Sequence, residues 1–138
     1  MAEAQGIDLT GRWTGVYFYP DDHVWNANDA YPPTPFTAEL VESGGVVTGT
    51  THEQDLMGPE RSVEIVAVIE GTRDGEALSF IKYPDSWHQV PIHYTGVIAP
   101  DGDAISGEWT IPGSWSGVFR MQRRVAPVES RVTREATA

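Results

Sequence analysis

Histidine, glutamate and tyrosine are the residue types of this 138-residue chain that could move a proton or orient a ligand. The histidines are His23, His52, His88 and His93. Zinc sites often draw neighbouring ligands from i and i+2 on a strand or i and i+4 on a helix. His88 and His93 are instead separated by a proline link, and His52 and Glu53 are strand neighbours whose side chains leave on opposite faces. No local pair has ligand spacing, so neither a metal nor another cofactor is expected. The remaining chemistry is acid–base. His88 or His23 could carry a proton, with Asp22 or Glu53 orienting the ring. Tyr17, Tyr19, Tyr83 and Tyr94 could orient a carbonyl or hydroxyl, and a tyrosine can also act as a general acid. The chain has no cysteine, which excludes thiolate chemistry and disulfides. It also has no phosphate-cradling glycine loop, G-x-S-x-G elbow or dinucleotide fingerprint.

These residues must be positioned by strands. The hydrophobic pattern has period two or forms short β-rich runs, and no long segment has the 3.6 period of a helix. Eight strands are expected at 11–19, 36–43, 46–54, 62–72, 77–83, 92–99, 104–111 and 116–124. Their Val, Ile, Thr and aromatic content suits a pleated, half-buried surface. The even-numbered links "SGG", "RDGE" and "PDGD" are compact hairpin turns. The odd-numbered links are long or carry aromatics: "PDDHVWNANDAYPPTP", "DLMGPER", "PDSWHQVP" and "PGSW". In a meander all odd links lie at one end. The expected fold is therefore all-β, an eight-stranded antiparallel up-and-down β-barrel with one tight end and one loop-rich mouth.

The mouth would collect His23 and Trp25 from the first link, Met57 from the second, Trp87 and His88 from the third, and Trp115 from the fourth. His52, Glu53 and His93 would sit at the same rim. Along the first strand Trp13, Gly15, Tyr17 and Tyr19 share a face, as do Ile105, Gly107 and Trp109 on the seventh. An inward orientation makes the interior aromatic. Gly15, Gly107 and Gly117 on inward faces are expected to leave space for a ligand. Glu39, Glu64 and Glu70 alternate with apolar residues and read as the solvated outer wall.

The "GRWTG" of the first strand resembles the G-x-W opening of calycin-type barrels, which include lipocalins, fatty-acid-binding proteins and avidins. The "ISGEWTIPGSWSGVFRMQR" segment resembles their closing hairpin, ending in arginine. The resemblance implies a calycin or streptavidin-like barrel with Trp13 packed across one end. An avidin-like meander is the form that fits this length. The avidin positions that contact biotin hold Gly15 and Tyr19 here, so the resemblance implies a fold and a pocket without that ligand.

Length and composition bound the rest. The chain fits one domain, divided as an N-terminal segment 1–10, the barrel 11–124 and an arginine-containing tail 125–138. A net charge of −11 argues against nucleic acid and anionic membranes as partners. The N-terminus lacks the basic and apolar regions of a signal peptide, and a cytoplasmic location is expected. The valines of "VEIVAVIEG" are apolar on both faces, which fits a homodimer or larger homo-oligomer.

Three functional readings follow. In the first, the barrel binds a small hydrophobic or aromatic ligand, with Trp13, Tyr17, Tyr19, His23, Trp25, Trp87, His88, Trp109 and Trp115 as contacts. In the second, it is a cofactor-independent enzyme of cyclase or isomerase type, with His88, Tyr94 and Glu53 as catalytic residues. In the third, a solidly packed barrel presents its loops to a protein.

Overall fold

The computed structural model describes residues 6–20, 31–54, 64–85 and 90–124. His23, Trp25, Met57, Trp87, His88 and the tail 125–138 lie outside the described residues. The strands are β1 (Gly11–Phe18), β2 (Thr34–Ser43), β3 (Val46–Gln54), β4 (Glu64–Asp74), β5 (Ala77–Pro84), β6 (Ile92–Ile98), β7 (Ala104–Thr110) and β8 (Ser116–Arg123). Each pairs antiparallel with the next, and β1 pairs with β8 to close an eight-stranded barrel. Closure leaves no unpaired sheet edge. The period-two pattern produces this directly. In β2, Thr34, Phe36, Ala38 and Leu40 are buried while Pro35, Thr37, Glu39 and Val41 face out. β2 starts two residues before its expected position, because proline tolerates extended backbone and Pro35 pairs with Val16.

The even links are tight, as their residues require. Gly44 and Gly45 join β2 to β3 at φ 59° and 84°, a left-handed pair that favours glycine. Below these turns the barrel is sealed by its own N-terminal segment. Ile7 and Leu9 are buried against the core, and the Trp13 indole donates to the Leu9 carbonyl at 2.9 Å. Arg123 stacks over the Trp13 ring at 4.7 Å and donates to the carbonyls of Asp8, Thr10 and Gly102. Arg73 donates to Glu42 Oε2 at 2.7 Å and to the Ile7 carbonyl at 3.0 Å. Two guanidiniums thus satisfy backbone carbonyls that the turn from segment to barrel leaves without ladder partners.

The middle of the barrel is packed with rings. Phe80 stacks on Tyr94 at 4.7 Å, and Phe119 meets Tyr94 edge-on at 5.0 Å. The inward glycines do not open space, contrary to the expectation from sequence. A Cβ on Gly15 would lie 2.4 Å from the Phe36 ring, and one on Gly117 would lie 2.7 Å from the Trp109 ring. The missing side chains let large rings lie flat on the wall, so the volume is taken by aromatics instead of a ligand. On the outer wall Val68 of β4 pairs with Tyr83 of β5, and both are exposed.

Candidate functional site

Among the described residues the loop-rich end is not filled. A cavity of about 90 Å3 opens there, several times the ~10–15 Å3 that one water requires. Its walls come from strand ends that converge on the odd links. β1 and the residue after it supply Tyr17 and Tyr19, β6 supplies Ile92 and Tyr94, and β7 supplies Trp109. Glu53 of β3 and Lys82 of β5 form its polar part.

Lys82 is the unexpected member. Leu78, Phe80 and Lys82 alternate on the inward face of β5, so the strand that buries the two apolar side chains carries the ammonium inside as well. Lys82 and Glu53 are 4% and 8% exposed as residues. Their side chains meet at 2.7 Å between Nζ and Oε1. The Tyr17 hydroxyl donates to the second oxygen of Glu53. Lys82 Nζ lies 5.9 Å from the Tyr94 ring centroid, and the Tyr17 and Tyr19 rings meet edge-on at 5.6 Å. The result is a hydrogen-bonded chain, Tyr17–Glu53–Lys82, spanning β1, β3 and β5, with Tyr19 and Tyr94 beside it. Such a network is costly unless its members are satisfied, and here Tyr17, Glu53 and Lys82 each have a partner.

The surroundings set the protonation states. Burial pulls the Lys82 ammonium down, but the neighbouring Tyr94 and Glu53 outweigh it and raise its pKa above the usual lysine value. Lys82 is held charged and acts as a hydrogen-bond donor. Its Nζ also lies 5.0 Å from the Tyr17 ring centroid, within cation–π range. Burial, then the Glu53 charge, drives the Tyr17 hydroxyl far above the tyrosine range. Tyr94 is raised by burial despite the opposing Lys82 charge. Tyr19 is raised by burial too. All three phenols are neutral donors at physiological pH.

Aromatic rings continue from the cavity toward the mouth. Trp109 lies 5.5 Å from Tyr19, and its indole donates to the Phe18 carbonyl. Tyr19, Tyr31 and Trp115 meet in a triangle with centroids 5.0–5.1 Å apart. These edge and tilted contacts are the favourable geometries for rings.

Of the residues singled out by sequence, Tyr17, Tyr19, Trp109, Tyr94 and Glu53 are brought to the cavity, with Trp115 at its mouth. Trp13 is placed at the opposite, sealed end. Tyr83 projects outward and is 40% exposed, because it sits one residue out of phase with Lys82. His52 bonds Glu64 at 3.1 Å on the outer wall, and His93 is also exposed. No group of three or more His, Asp or Glu that could hold a metal occurs among the described residues. Compared with known proteins, the chain matches no family model and no curated protein.

Proposed function

We propose that the barrel binds a small, mostly aromatic or apolar molecule at its loop-rich end. The observation that carries this reading is the cavity itself. Among the described residues it is a part of the interior not filled by rings, and it joins an apolar wall of Trp109, Ile92 and Ile111 to a few convergent polar groups. That combination of wall and polar groups is the usual make-up of a ligand site, and a volume of about 90 Å3 restricts it to a very small molecule or to part of a larger one. The interior ion pair adds to the argument, since it costs desolvation and gives little stability over an apolar pair. The calycin-like part of the reading is supported by Trp13 lying across the sealed end under Arg123. Titration with a panel of small aromatic compounds should quench the fluorescence of Trp109, and Trp109→Phe should remove most of the response. An unchanged spectrum across the panel, with no ligand retained in native mass spectrometry, overturns the proposal.

The enzymatic reading draws on one further observation. Glu53 and Tyr94, the candidate base and acid, meet on either side of Lys82 in the same cavity. Proton transfer on a bound substrate would then use these groups. Glu53→Gln should abolish turnover while keeping ligand affinity, and turnover retained by that variant removes Glu53 from the role.

A further inference from the structure

The outer wall of the barrel is divided by charge. Glu39, Glu64, Glu70 and Asp74 stand on the outward faces of β2 to β5, with no lysine or arginine beside them among the described outward residues. The outward faces of β6, β7, β8 and β1 carry Arg12 and Arg120 against Glu108 alone, and exposed Arg124 follows β8. Arg12 meets Glu39 at 3.4 Å on the seam between the two halves. A chain of net charge −11 thus keeps one basic wall.

Shape divides the same way. The basic wall holds a groove of about 670 Å3. One outward row runs Val97, Ser106, Arg120 and Val16 across β6, β7, β8 and β1, and the next places Ala104 beside Gln122 and Thr14. The short side chains of Ala104 and Ser106 form the groove floor between Val97 and Arg120. The acidic wall carries larger side chains. Val68 and Tyr83 are exposed cross-strand partners, with half-buried Val66 and Ile81 beside them. Glu70 is the next outward residue of β4 after Val68. β4 and β8 are four strands apart in a ring of eight, so ridge and groove lie on opposite sides of the barrel.

We propose that copies of this chain associate through these unlike walls, the β4–β5 ridge of one seated in the β7–β8 groove of the next, with Glu70 turned toward Arg120. An apolar patch that fits a pocket elsewhere on the same molecule makes a contact of unlike surfaces, and from opposite sides that contact repeats along a row. Two β4–β5 walls packed on each other would instead set an acidic wall against an acidic wall, which electrostatics opposes. Four strands about 4.8 Å apart and about seven residues long present roughly 450 Å2 per copy. An interface of that size is at the small end, and the association is reversible. The net charge does not prevent it. At about 0.15 M salt the Debye length of ~8 Å is far shorter than the ~30 Å between barrel centres, while charges across the contact lie within it.

The test is sedimentation velocity on the full chain at about 0.15 M salt, from low micromolar to millimolar protein. The mean mass should rise with concentration past that of two copies. Arg120→Glu and Glu70→Arg, each exposed and each checked by circular dichroism, should weaken association about tenfold or more. Their equimolar mixture should restore it, because each supplies the wall that the other has lost. Ser106→Glu, in the groove floor, should act as Arg120→Glu does, and replaces it if losing the Arg120 contact with the Phe18 ring disturbs the barrel. A single-copy mass at every concentration overturns the proposal, as does a mixture that stays monomeric. Association that stops at two copies, survives Arg120→Glu and Ser106→Glu and is lost in Val68→Ser also overturns it, and makes the β4–β5 walls pair with each other.

Discussion

Lys82→Met removes one charge of the interior pair with little change of volume. Both side chains are nearly enclosed, at 5% and 6% exposure, and they touch at 2.7 Å. Two unit charges about 4 Å apart attract by about 4 kcal/mol at an effective dielectric of ~20. Breaking one side of a buried pair costs about 3–5 kcal/mol, because the remaining charge stays buried with fewer partners. Glu53 would keep the Tyr17 hydrogen bond. The cost of Lys82→Met should therefore fall near the lower bound, at about 3 kcal/mol. Glu53→Gln leaves an ammonium whose other polar neighbour is the neutral Tyr94, and should cost at least as much. The double variant Lys82→Met/Glu53→Gln buries no net charge and should fall within about 1 kcal/mol of the starting protein. Urea unfolding followed by both fluorescence and far-ultraviolet circular dichroism measures all four corners of the cycle. For a domain of this size, 3 kcal/mol corresponds to a drop of roughly 10 °C in melting temperature. Single variants that each cost under ~1 kcal/mol, with an additive double variant, would refute the reasoning. They would mean that the pair is screened by solvent.

Two further perturbations test other parts of the structure. Tyr17, Tyr19 and Tyr94 hold their protons above the usual tyrosine range, mainly through burial, and Lys82 holds its own above the usual lysine range because Tyr94 and Glu53 outweigh desolvation. The unfolded chain releases these protons near pH 10 while the barrel keeps them, so the stability they contribute is complete below about pH 10 and is lost as pH rises beyond it, by about 1.4 kcal/mol per unit for each group. Urea midpoints measured from about pH 8 to pH 11 should show the decline, and a flat profile would count against buried, protonated phenols. Gly117→Ala would place a Cβ 2.0 Å from the Phe18 carbonyl oxygen and 2.7 Å from the Trp109 ring. It should cost about 1–3 kcal/mol as overpacking, and weaken aromatic ligands by tilting Trp109, both readable from denaturation and fluorescence titration.

Much of the barrel was legible because its signals are local. Alternation along β2 states which side chains go in, and Gly44–Gly45 states where the chain reverses. The split between tight and long links fixed which end would be open, and Tyr17, Tyr19, Trp109, Glu53 and Tyr94 do gather there. Lys82 was missed because a lysine near a strand end ordinarily reads as solvated. A pointer existed: it keeps phase with Leu78 and Phe80, so burying them brings it in. The role of the inward glycines was misread for the opposite reason. A missing side chain looks like empty space in a sequence, whereas a packed interior fills it with the nearest ring, Phe36 at Gly15 and Trp109 at Gly117.

The chain by itself determined the all-β class, the number of strands, their facing and the identity of the open end. Each of these depends on residues within one strand or one turn, where period two and glycine backbone freedom act directly. Only the tertiary structure decided that Arg123 covers Trp13 and that Glu53 finds Lys82 across the interior. Those pairings join residues on strands that are not neighbours in the chain, and their partners are chosen by barrel register and by the cost of leaving a buried charge alone.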